Sequence, residues 1–147
     1  VTILRSRLSC KEEAMHLILC IDRRNGMSFC GKRQSSDRMV TEDILNITAG
    51  QRLWMSPYSA GLFPEGSVCV DPDFLSKAGR GDYCFLETTP LPSELSGLES
   101  VILYRWNRHY PSTVTFPVSV LLPFVLNESR EFSGNSHDTI TMERYTL

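Results

Sequence analysis

His16–Ile21 reads HLILCI and runs straight into Asp22–Gly26, DRRNG. A short continuous apolar run closed by turn residues is the pattern of a strand buried on both faces, at home in the centre of a parallel or mixed sheet. Asn25 and Gly26 adopt positive φ cheaply, so the strand is expected to empty into a tight loop. Upstream, residues 1–14 (VTILRSRLSCKEEA) are polar and mixed in charge, and Met15 directly precedes the strand. We expect Met15 to be the natural start, residues 1–14 to be an extension outside the fold, and residues 15–147 to form a single domain.

Downstream, a helix capped by Ser35 or Ser36 is expected to run to about Ile47. Its apolar positions Met39, Val40, Ile44, Leu45 and Ile47 follow helical spacing, and Asp37, Glu42 and Asp43 lie toward its N-terminal half, where the dipole favours them. Thr48-Ala49-Gly50 closes it. RLWMS at 52–56 reads as a second strand, with Pro57 starting a helical turn through Phe63. SVCV at 67–70 is a third strand, and Asp71 caps a brief helix through Ala78. YCFL at 83–86 and SVILYRW at 100–106 are the fourth and fifth strands, separated by a loop at 88–97 with room for one helical turn. Phe124–Phe132 and Thr139–Tyr145 form a hairpin around a turn containing Gly134-Asn135, and Ile140 and Met142 alternate with Thr and Glu. Strand–helix alternation followed by a hairpin predicts an α/β fold: a single mostly parallel mixed sheet flanked by helices, with a C-terminal antiparallel hairpin.

The 147 residues carry 15 Lys plus Arg against 17 Asp plus Glu, a net charge of −2, which argues against a dedicated nucleic-acid partner. No apolar run approaches the ~20 residues of a membrane span. No secretory signal is visible, and five cysteines without a CxxC suggest reduced thiols and a cytoplasmic protein. His16, His109 and His137 stand far apart, so no metal is expected. Lys32, Arg33 and Arg38, with Arg23 and Arg24, form a basic patch suited to a phosphate or carboxylate; a solvated loop face is the alternative.

Three stretches, with the hairpin that follows them, resemble dihydrofolate reductase. LILCIDRRNGM (17–27) is similar to that family's first strand and active-site loop. ILNITAGQRLWMSPYS (44–59) is similar to its helix ending in Thr, followed by a strand ending Met-Gly-Arg-x-Thr. VILYRWNRHYPSTVTFP (101–117) is similar to its strand and loop ending in Phe-Pro, and LNESREFSGNSHDTITMERY (126–145) to its closing hairpin. The resemblance implies a cleft at the ends of the first two strands, a small pterin- or nucleotide-like ligand and NADPH as cofactor. Asp22, Met27, Asp37, Thr41 and Tyr58 would face that cleft, with Asp22, Asp37 and Thr41 as catalytic candidates and Trp54 beside it.

The resemblance also marks departures. The family's pterin-holding carboxylate falls on Val40, and Asp37 lies one turn up the helix. Its phosphate-receiving Gly-Arg-x-Thr corresponds to Ser56-Pro57-Tyr58-Ser59, where a helix N-terminus still offers N–H groups and hydroxyls to the cofactor. Its paired glycines correspond to Leu86-Glu87-Thr88-Thr89, which puts a carboxylate where a pyrophosphate would lie. Its tail-gripping arginine has no counterpart between Phe63 and Ser67, and Tyr104 stands where it has a pterin-contacting threonine. A divergent reductase relative and a non-catalytic ligand-sensing or interaction module are both consistent with this pattern. The chain further resembles short bacterial proteins called ribonuclease Z; that name implies a tRNA-processing nuclease, whose metal motif this sequence lacks.

Overall fold

The computed structural model describes residues 15–92 and 97–147. The expected extension at 1–14, and residues 93–96 of the expected loop, lie outside the described residues. Met15–Ile21 forms β1, Gly26–Phe29 β2 and Lys32–Arg33 β3. Arg38–Ile47 is helix α1, Leu53–Met55 is β4 and Pro57–Ala60 is the single turn α2. β5 (Cys69–Val70), α3 (Phe74–Lys77), β6 (Asp82–Phe85) and β7 (Leu98–Arg105) follow. β8 (Val114–Thr115), a 3-10 turn at Val118–Leu121, β9 (Val125–Phe132) and β10 (Ile140–Thr146) complete the order.

Seven strands make one mixed sheet in the order β5-β4-β6-β1-β7-β10-β9. β1 lies at its centre, parallel to β6 on one side and to β7 on the other. β10 runs antiparallel to β7, and β9 antiparallel to β10, so the C-terminal hairpin forms the antiparallel margin. The apolar continuity of β1 has a direct cause. Leu17, Leu19 and Ile21 pack on one face with Phe74, Leu103 and Phe116. Ile18 packs on the other with Val40, Ile44, Phe85 and Trp106, beneath α1. A strand covered on both faces leaves little room for a polar side chain to reach water, and His16, near the start of β1, is the one polar residue in it, partly exposed. Each fully buried aliphatic side chain here stabilises the fold by roughly 1.5–3 kcal/mol.

Three local expectations are corrected. The segment after β1 is more than a loop, because β2, β3 and β8 form a second, three-stranded sheet. Within it Asn25 has φ 64°, whereas Gly26 does not need positive φ. A Cβ at Gly26 would meet Gln34 Nε2 at 2.6 Å and the Ser112 Cβ at 2.7 Å, so close packing is what requires glycine there. The cap of α1 is Asp37 rather than either serine: its backbone is extended, and its carboxylate accepts the Met39 N–H. α3 begins only at Phe74, because the Asp71 carboxylate accepts the Asp73 N–H in a turn ahead of it. Among the described residues, no helix is long and apolar enough to cross a membrane.

Candidate functional site

The end of β1, the start of α1 and the first residue after β7 enclose a slot. Val40, Ile44, Leu62, Phe85 and Trp106 supply its apolar walls, and Ser35 and Glu87 also line it. Its volume is about 10 Å³, room for one water at most. Above it opens a bowl of about 380 Å³ lined by Ser36, Arg38, Thr41, Leu62, Asn135 and Ser136, with Asp37 in the wall between. Two polar clusters flank the slot.

The first cluster is built on Asp37, whose side chain is fully shielded from solvent. Besides capping α1, its carboxylate accepts the N–H of Asn135 at 2.8 Å, the N–H of Ser136 at 2.9 Å and His137 Nδ1–H at 2.9 Å. Burial raises the carboxyl's pKa, but these bonds outweigh it and hold the group well below the usual aspartate range. The ionised acceptor fixes the His137 proton on Nδ1, which leaves the Nε2 lone pair to accept from hydroxyls. Ser35 Oγ lies 3.0 Å and Tyr110 Oη 2.9 Å from that nitrogen. Trp106 stacks on the imidazole at 4.6 Å between centroids, 21° from parallel. The turn approaches so closely that a Cβ on Gly134 would meet Asp37 Oδ2 at 2.5 Å and the His137 carbonyl oxygen at 2.6 Å. Gly134→Ala is therefore expected to destabilise the protein by about 1–3 kcal/mol through forced displacement. Urea unfolding would check it; an unchanged midpoint would mean the turn is not pinned to Asp37.

The second cluster centres on Glu87, whose side chain is 8% exposed. Arg33 grips it bidentately, Nε to Oε2 and Nη2 to Oε1, both at 3.0 Å. Ser59 Oγ donates to Oε1 at 2.8 Å. The Arg33 guanidinium stacks on the Tyr58 ring at 4.4 Å and donates to the Tyr58 carbonyl. Arg33 is thus no free member of a basic patch, and Glu87 presents no bare negative charge. Nearby Cys20 is no thiolate: burial, aided by Glu87, pushes its pKa well up.

The sequence-predicted residues separate accordingly. Thr41 lines both slot and bowl, but its hydroxyl donates to the Arg38 carbonyl. Asp37 borders both with its oxygens engaged. Asp22 lines neither; it organises the loop after β1. Its carboxylate accepts the N–H groups of Arg24 and Gly26, both at 2.8 Å, and that of Tyr110 at 3.1 Å. Burial opposes its ionisation and those bonds outweigh it, so its pKa is lowered. Met27 is buried among the residues on the far face of β1. Ser56 caps α2 with Pro57 at its first position, and Tyr58 and Ser59 are committed to Arg33 and Glu87. Trp54 is not beside the slot. It packs on the sheet's other face, and its Nε1–H donates to Asp82. Trp106 is the tryptophan at the site. His137, Ser35, Tyr110 and Arg33 escaped sequence reading as a group, and the one available signal was the Gly-Asn-Ser-His turn in the hairpin. Among the described residues, no three His, Cys, Asp or Glu side chains converge to hold a metal ion.

No protein-family profile and no curated protein matches the sequence. Among solved structures, the chain is similar to dihydrofolate reductase from Enterococcus faecalis complexed with NADP(H) and RAB-propyl. The TM-score is 0.63 over 92% of this chain and 96% of that one, at 10% identity. The fold is that of dihydrofolate reductase. Within this dihydrofolate-reductase-like frame, the slot lies under α1 at the ends of the central strands, and Val40, 2% exposed, forms part of its wall.

Proposed function

We propose that this dihydrofolate-reductase-like protein binds a small polar molecule in the bowl over α1 and does not reduce folate. The observation that carries the reading is the closed slot. Small-molecule sites occupy roughly 300–1,000 Å³, a range the bowl meets and the slot misses by more than an order of magnitude. Val40 also has no atom with which to hold or protonate a pterin. NADPH is the cofactor the fold implies, and the similar structure was solved with NADP(H). The residues here do not fit it in the family's pose, because Arg33 and Ser59, the groups suited to a phosphate, already hold the carboxylate of Glu87. Expelling that carboxylate would unpair a shielded charge. The bowl instead presents Arg38, whose exposed guanidinium lies 3.6 Å from Glu42, beside Asn135 and Ser36, with the Thr41 and Ser136 hydroxyls already donating within the protein. One cation in a polar lining suits a short carboxylate or its ester.

Titration with NADPH and with dihydrofolate, followed by Trp106 emission in a Trp54→Phe background, is expected to show no saturable change at millimolar concentration. Micromolar saturation would restore the reductase reading. Short carboxylates and their methyl esters are expected to shift the amide resonances of Thr41, Asn135 and Ser136. Shifts confined to other regions would remove the bowl as the binding site.

A further inference from the structure

We propose that Ser35, His137 and Asp37 form a nucleophilic relay that hydrolyses a small carboxylic ester presented from the bowl. The proposal rests on the bowl being the ligand seat. The three groups stand in hydrogen-bond sequence: Asp37 Oδ2 to His137 Nδ1 at 2.9 Å, and His137 Nε2 to Ser35 Oγ at 3.0 Å. A serine hydroxyl is a weak nucleophile until a base takes its proton, and the base works only when a third group fixes its ring and tautomer. Asp37 does both: it accepts Nδ1–H and is itself held ionised by two backbone N–H groups of the turn. The graded exposure also suits the chemistry. The side chains of Asp37 and His137 are 0% and 1% exposed, whereas Ser35 is only half-buried and directly precedes Ser36 of the bowl wall, so an ester would meet it from the solvent side and not through the closed slot. Trp106, stacked on the imidazole, holds the plane of the ring. Tyr110 Oη shares that nitrogen, so it steadies the ring when the serine proton is in transit.

The steps balance without any other reagent than water. Ser35 Oγ bonds to the acyl carbon as its proton passes to His137 Nε2. Negative charge then gathers on the carbonyl oxygen in the bowl, whose one cationic lining residue is Arg38. The ester C–O bond breaks, and the departing alkoxide takes the proton from Nε2 and leaves as an alcohol. Water attacks the acyl-Ser35 carbon and gives a proton to Nε2. That proton returns to Oγ as the carboxylic acid departs. No motif announces the relay, since its members lie 102 and 100 residues apart in sequence.

The test treats the whole chain with a fluorophosphonate, which loses fluoride as it bonds to an activated serine oxygen, followed by intact-mass measurement and peptide mapping. Expected is one adduct per chain on Ser35, absent from Ser35→Ala, with turnover of p-nitrophenyl acetate lost in the same variant. His137→Gln should slow labelling by about 100-fold or more. Should that variant unfold, Ser35→Cys gives the same information. Next to His137 its thiol should alkylate with a pH midpoint below the ordinary ~8.5 of free cysteine. No adduct on Ser35 in the folded protein, an adduct elsewhere, or an ordinary thiol midpoint would overturn the relay. Loss of the relay while methyl esters still shift the bowl's resonances would leave ligand binding intact. Absence of those shifts together with no adduct would remove both.

Discussion

Asp37→Ala is expected to lower the unfolding free energy by about 4 kcal/mol, a large part of the 5–15 kcal/mol typical of a domain this size. A lost helix cap costs about 1 kcal/mol, and each buried donor stranded by removing a charged acceptor costs about 1–3 kcal/mol. The donors stranded here are the N–H groups of Asn135 and Ser136 and Nδ1–H of His137. Asp37→Asn keeps the shape and one acceptor oxygen, so about half the loss is expected. Denaturant unfolding of both variants checks this; equal losses would mean that shape rather than charge matters. The same carboxylate gives the protein an acid limit. Its folded-state pKa lies below its unfolded-state value, as does that of Asp22. Stability from both is therefore complete above the unfolded value near ~3.9 and is lost as pH falls from there toward the folded values. The urea midpoint should hold steady down to about pH 5 and then decline, with the decline reduced in Asp37→Asn.

Arg33→Ala should cost about 3–5 kcal/mol, because it leaves the Glu87 carboxylate shielded with only Ser59 as a donor. Glu87→Gln should cost less, about 1–2 kcal/mol, since Arg33 is the more exposed partner, at 25% against 8%. Replacing both by methionine should recover stability to within about 1 kcal/mol of the parent, since a desolvated pair contributes little beyond packing. A double-mutant cycle read by denaturant unfolding decides it. Additive losses would mean that the bidentate contact is energetically idle. The cycle also bears on cofactor binding, because Glu87→Gln is the variant that frees Ser59 and Arg33 to accept a phosphate.

Sheet, central strand and hairpin were legible in the sequence because their signals are local. HLILCI is apolar at successive positions, since both faces of β1 are covered, and Ile140 and Met142 alternate because only one face of β10 is. The site was not legible, for the opposite reason. Asp37 looked like a first-turn carboxylate because three of its hydrogen-bond partners lie 98–100 residues downstream. His137 looked solitary because nothing in its neighbourhood of the chain explains it. Glu87 looked repulsive to an anion because its neutralising arginine is 54 residues away. The resemblance put Val40 at the family's pterin-holding position, and Val40 lies in the slot wall. No sequence pattern could reveal that Trp106 and Leu62 close the space, since volume is a property of packed side chains.

The clasp between α1 and the hairpin turn has a kinetic side. Its two halves are separated by most of the described polypeptide, and bringing them together costs loop entropy before any contact rewards it. The seven-stranded sheet is expected to assemble first, and the imidazole then to lock onto the helix as a closing latch. Interactions made that late act chiefly on how slowly the native state opens, and hardly at all on how fast it is reached. Damage to the latch therefore shortens the lifetime of the folded molecule while leaving its assembly rate nearly untouched.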